Sequence, residues 1–234
     1  MRILDKIKVV KNISIVKTLW YNYKLFGFRK FFKCKLIIGA NVEIRSIGKI
    51  EMDSKMTGRI HIGSSPLFNS SIHNYTVFNN LGLIKIFGKV NIQPGCIIYT
   101  SEKGIIEFRG NNRIGARTQL LARKYVEIGS HTGLSWDCQV CDTDFHYMKN
   151  LDTGVIKRNQ EDIRIGSSVW IGNHVIIGKG VRIADGCIVA QNTYVNKSIE
   201  EKNKLIYGLP AKIFSGNYQR IWNLEKEQEL NNKL

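Results

Sequence analysis

The 234 residues carry 35 Lys and Arg against 19 Asp and Glu, a formal net charge of +16, with 43% hydrophobic residues, 21 Gly and 3 Pro. That balance excludes a disordered or collagen-like chain and describes a turn-rich domain large enough to bury a core. The charge favours an anionic partner, whether cofactor phosphates, a charged glycan, a membrane surface or nucleic acid, although a basic surface serving solubility alone fits it too.

Residues 1–33 read as a helical, aromatic segment ahead of everything regular. Ile3, Leu4, Ile7 and Val10, then Trp20, Tyr21, Phe26, Phe28, Phe31 and Phe32, are interleaved with Lys and Arg. No apolar run is long enough for a signal peptide or a spanning helix. A helix with one apolar face usually buries it within its own protein, and packing against the main domain is the expectation here. An interfacial contact suits the same residues and would place the chain at the inner face of the membrane. The cysteines, at positions 34, 96, 138, 141 and 187, are odd in number and lack paired zinc-ligand spacing. A reduced cytoplasm is the expected setting. Cys138 and Cys141 have redox-pair spacing but no βαβ context, so they read as small core residues.

From residue 34 to 206 the chain keeps a period of six. Its early coils, to about 125, are irregular, with interruptions around 45–59 and 68–84. Ile86, Ile92 and Ile98 keep step, as do Phe108, Ile114 and Leu120, then Ile128, Leu134 and Val140. After a break at 141–164 the pattern is strict. Aliphatic residues occupy 165, 171, 177, 183, 189 and 195, and Gly or Ala follows each of the first five. An α-helix holds no apolar face at that period, and each interior Gly would cost it about 1 kcal/mol. A chain turning a corner every six residues points the aliphatic residue inward and sets the small one at a tight bend. Such short strands stack into a column in which each coil satisfies its neighbour's backbone.

Insertions in a repeat column fall at corners, and function collects there. The break opens Cys141-Asp-Thr-Asp-Phe-His146, with two carboxylates and an imidazole within five positions. An alcohol is a poor nucleophile until its proton leaves, and a histidine within reach of that proton is the natural base. A neighbouring carboxylate, Asp144 or Asp142, would hold its tautomer, with Asp144 favoured on proximity.

On these repeats, and on Tyr207-Gly-Leu-Pro-Ala-Lys212 near the end, the chain resembles the hexapeptide-repeat acyltransferases, in particular O-acetyltransferases of surface polysaccharides and their sugar precursors. The resemblance covers about 34–214. It implies an all-β fold, a left-handed parallel β-helix with three hexapeptides per coil, and a homotrimer. It implies acetyl-coenzyme A as donor, no required metal, and a carbohydrate acceptor, polyanionic or lipid-linked. His146 matches the family's catalytic histidine in its Asp-x-Asp-x-His pattern. The donor's contacts fall on Trp170, Gly172, Ala190, Lys197 and Lys212. Residues 207–234 complete the chain as a turn and a short helix from Tyr218 to Leu230.

Other readings stay open: an amino-sugar or serine acceptor, or a noncatalytic scaffold binding an anionic glycan. A zinc β-helix is unsupported because His131, His146 and His174 form no close pair. Nucleic acid is not expected, since no aromatic-basic repeat or zinc module accompanies the charge.

Overall fold

The structure, a computed structural model, describes residues 12–28, 33–53, 58–64, 75–221 and 223–233. Short parallel strands stack into three sheets, visited in turn by each coil. The first face runs from Leu36–Ile38 to Leu205–Tyr207, closed by the antiparallel strand Lys212–Phe214. The second runs from Val42–Ser46 to Tyr194–Val195, and the third from Lys49–Met52 to Arg182–Ile183. This is the all-β, left-handed parallel β-helix expected from the sequence.

The period of six is visible as columns of buried side chains. Phe78, Ile98, Leu120, Val140, Ile177 and Val195 stack in register on the second face, and Ile86, Phe108, Ile128, Ile165 and Ile183 on the third. From Phe78 onward the third-to-first and first-to-second corners keep the six-residue step, as from Ile86 to Ile92 to Ile98. The second-to-third corner keeps it only in the step from Ile177 to Ile183. Before that it takes eight residues from Phe78 to Ile86, ten from Ile98 to Phe108, eight from Leu120 to Ile128 and twenty-five from Val140 to Ile165. From Phe78 to Val195 all the added chain therefore accumulates along one edge of the column.

At Gly166 and Gly172 the small residue after the aliphatic one has a different cause from the expected tight bend. Gly166 and Gly172 do not take left-handed backbone; that conformation falls on the corner residues Ser168 (φ 57°) and His174 (φ 55°). A Cβ on Gly166 or Gly172 would instead stand 2.7 Å from the amide nitrogen of Asp185 or Gln191 in the next coil. Coil-to-coil approach, rather than the turn, demands the missing side chain.

Helix α1 (Ile15–Phe26) covers the open end of the first coil with polar groups. Ser14 caps it by accepting from the Lys17 amide. Buried Thr18 accepts from the Ile38 amide (3.1 Å), while buried Asn22 accepts from Leu36 N–H (3.1 Å) and donates to its carbonyl (2.6 Å). The strand edge thus finds the partners that another coil would have supplied. Tyr21 and Leu25 pack against the core, as expected of the N-terminal segment. Ile3, Leu4, Ile7, Val10, Phe31 and Phe32 lie outside the described residues. At the other end α2 (Leu224–Asn231) is shorter than the Tyr218–Leu230 span read from the sequence, because Asn223 caps it, accepting from the amides of Glu225 and Lys226.

All five cysteines are free thiols. Burial pushes Cys96 up to about 12 and Cys138 up to about 11, and raises Cys141 and Cys187 in the same direction. A thiol reagent at pH 8 is expected to reach at most Cys34 and Cys141 in the folded protein and all five after denaturation, read as chromophore released per chain. Fast reaction of more than two would contradict this core. A raised thiol pKa keeps the folded form protonated while the unfolded form ionises, so stability should fall as the pH rises from about 9 towards 12.

Candidate active site

The twenty-five-residue corner is an antiparallel arm. Its limbs pair at the root, where Asp144 N–H donates to Asn159 O (2.8 Å) and Glu161 N–H to Asp142 O (2.9 Å). They pair again at the tip, where Met148–Lys149 lies against Ile156–Lys157. His146 sits between root and tip. Phe145, at φ 61°, turns the chain there, its amide held by Thr143 Oγ1 at 2.9 Å, and His146 N–H closes on Asp144 O at 2.7 Å.

The two aspartates do other work than the sequence suggested. Asp142 is wholly buried and accepts the amide protons of Arg123 (2.8 Å), Lys124 (2.7 Å) and Tyr125 (2.8 Å). Burial raises its carboxyl above the ordinary value, and the three amides pull it part of the way back. It fastens the root of the arm to the turn of the preceding coil. Asp144 pairs with Lys179 Nζ at 2.6 Å, and the same ammonium donates to Arg158 O at 2.5 Å. Lys179, on the next coil, thereby braces both limbs. The expectation that Asp144 or Asp142 orients the imidazole is corrected: no carboxylate among the described residues lies within 4.0 Å of the His146 ring, because both are already engaged.

Among the described histidines His146 is distinguished by its open ring, exposed and without a hydrogen bond to protein. His61 faces Ser64 Oγ (3.3 Å), His131 faces the Asn111 amide (2.9 Å) and His174 lies 3.7 Å from Asp137; His73 lies outside the described residues. An exposed imidazole on a braced arm can accept a proton from a molecule docked against it.

Two clefts complete the picture. One, of about 380 Å³, lies on the same widened edge beside the arm, lined by Leu81, Tyr99, Glu102, Lys103, Arg123 and Gln160. Arg123 reaches towards Phe145 O at 3.5 Å. Neither Arg123 nor Lys103 has a carboxylate partner among the described residues, whereas Arg109, Arg117 and Arg164 are each paired. These residues were missed in the sequence; the extra residues at this corner were the available signal. The second cleft, about 340 Å³, opens at the first-to-second corner of the regular coils. It gathers Trp170, Gly172 and Ala190, three of the expected donor contacts, with Trp136, and with Asn173 and Gln191, which were not singled out. The turn before Lys212 lies one coil further along this corner, where Tyr194 N–H donates to Gly208 O. Lys197 stands apart, following Val195 on the edge below the arm. No group of three or more His, Cys, Asp or Glu positioned for a metal occurs among the described residues.

The comparisons agree with this architecture. The family described as Bacterial transferase hexapeptide (six repeats) matches residues 162–197. An uncharacterized 24.8 kDa protein in the cps region of Klebsiella pneumoniae is 29% identical over 222 residues, covering 92% of this chain and 96% of that protein. The probable acetyltransferase Rv3034c of Mycobacterium tuberculosis is 32% identical over 108 residues, 44% of this chain and 34% of that protein. Among solved structures, a point mutant of AntD, an N-acyltransferase from Bacillus cereus in complex with dTDP and coenzyme A, aligns with a TM-score of 0.50 at 18% identity. That alignment covers 85% of this chain and 89% of that one, and the likeness is one of fold. The resemblance to the hexapeptide-repeat acyltransferases is borne out.

Proposed function

We propose that this hexapeptide-repeat chain is an acetyl-coenzyme A-dependent acetyltransferase that acetylates a hydroxyl of a surface polysaccharide or its sugar precursor, with His146 as general base. The observation that carries the reading is an imidazole free of protein partners, held on a braced arm beside a basic cleft. The donor supplies an activated acetyl thioester, and this chain's task is to position and deprotonate the acceptor. His146 takes the hydroxyl proton as the oxygen attacks the thioester carbonyl, then returns it to the departing thiolate.

Within one chain the arm and the regular-coil cleft occupy opposite borders of the second face. A homotrimer of parallel columns would close one copy's arm over another copy's cleft. The exposed apolar residues of the arm, Tyr147, Leu151, Val155 and Ile156, support an assembly that covers them. Lys197, separated from the cleft of its own chain, would then border a neighbour's, and Lys212 would meet donor phosphate.

The acceptor's chemistry follows from the cleft beside the arm. Tyr99 offers a ring face to a sugar, and the guanidinium of Arg123, which has no carboxylate partner among the described residues, offers a seat to a carboxylate or phosphate. An acidic glycan fragment or nucleotide-linked sugar fits that cleft better than a neutral monosaccharide.

The test is thiol release from acetyl-coenzyme A with neutral sugars, nucleotide sugars, amino sugars and acidic oligosaccharides. Acetate is expected on oxygen as an alkali-labile ester, with acidic acceptors preferred. Alkali-stable amides alone would move the reading to amino sugars, and no turnover with any acceptor would favour a scaffold. Arg123→Ser is expected to raise KM for acidic acceptors about tenfold, the worth of one charge-assisted contact, and to leave the donor's KM unchanged. An equal change for neutral acceptors would remove the charge argument.

A further inference from the structure

Helix α1 departs from an ordinary surface helix. Its inward face sets Thr18 and Asn22 on the backbone of Leu36 and Ile38, beside Tyr21 and Leu25, while a second apolar set faces outward. Ile15, Leu19 and Tyr23 recur at helical spacing, flanked by Val16 and Trp20, on one stripe of about 140°. Ile15 is 63% exposed, Val16 79% and Trp20 58%. Trp20 and Tyr23 lie together, ring centroids 6.3 Å apart, so the stripe presents aromatic area as well as aliphatic. The edge of the column is satisfied from the other face, through Thr18 and Asn22.

Charge names the occupant. The first 35 residues hold ten of the chain's 35 Lys and Arg and a single acid, Asp5. Lys24, exposed, borders the stripe in the helix's last turn. An aliphatic and aromatic stripe with Trp, bordered by Lys24 in a segment of sequence rich in Lys and Arg and nearly free of acids, matches the boundary of an anionic bilayer, where apolar side chains enter the headgroup region and basic residues meet the lipid charge. No helix among the described residues is long and apolar enough to cross a membrane. We infer that α1 is a peripheral membrane anchor, laying Ile15, Val16, Leu19 and Trp20 into an anionic lipid surface with the coil axis standing away from it.

The inference is independent of the catalytic reading. The full chain is mixed with vesicles of phosphatidylcholine alone or with 30% phosphatidylglycerol, and bound protein is sedimented. Binding at least tenfold tighter to the anionic vesicles is expected. The Val16→Ser/Trp20→Ser double variant should lose at least tenfold of it while keeping the native melting temperature, because both residues face outward. Vesicles with brominated acyl chains should quench tryptophan fluorescence in the native chain, and Trp20→Phe should abolish that quenching while binding persists. Equal binding by the double variant, or quenching unchanged in Trp20→Phe, would overturn the inference in favour of charge alone. Absence of vesicle binding, with the double variant dispersing a soluble oligomer, would overturn it in favour of a second copy of the chain.

Discussion

Replacing His146 by alanine is expected to lower kcat for acetyl transfer by about 10²–10⁴-fold, the usual worth of a positioned general base, and to leave donor affinity as it was. The separation of these effects follows from the fold: the arm is at the second-to-third corner, while the cleft with Trp170, Gly172 and Ala190 is at the first-to-second corner. His146 also makes no side-chain bond whose loss would loosen the arm, so the variant should melt with the native protein. Steady-state thiol release and calorimetric titration with coenzyme A read the two properties separately. A kcat within threefold of native would remove His146 from the chemistry. Asp144→Asn gives the complementary measurement. Its carboxylate bonds to Lys179 and not to the imidazole, so the change should act by slackening the arm, with a smaller fall in kcat than His146→Ala produces.

The aliphatic period was legible because an interior column leaves no freedom: Ile165, Ile171, Ile177 and Ile183 must each return to the axis, and their spacing reports the coil directly. Phe108, Ile114 and Leu120, or Ile128, Leu134 and Val140, show the same step across two corners and lose it at the third, which is where the chain widens. That much was open to a reader of residue numbers. The partners of polar groups were not. Asp142 and Asp144 are two residues apart and look equivalent on paper, yet the bend that leaves the strand after Cys141 sends one inward onto three amides and the other outward to a lysine thirty-five positions later. Which face of α1 meets the column was equally hidden, since apolar spacing marks a stripe without saying which side meets the protein. Only the unpaired edge of the strand Leu36–Ile38 decides that Thr18 and Asn22 face inward.

Asp142→Ala is expected to destabilise the protein by roughly 3–5 kcal/mol, more than any other single change in the arm. The carboxylate is wholly buried, and its removal strands the amides of Arg123, Lys124 and Tyr125 in a space that admits little water. Asparagine is a sharper probe than alanine. It preserves volume and an acceptor oxygen able to keep the amides of Lys124 and Tyr125, but turns a donor towards the Arg123 amide. About half the loss should therefore remain in Asp142→Asn, and chemical denaturation of both variants measures it. Because the same turn carries Arg123 into the cleft beside the arm, the surviving folded Asp142→Asn should show a raised acceptor KM as well as reduced kcat. A variant as stable as native would mean that the three amides find other partners, and the arm would then have some root other than this carboxylate.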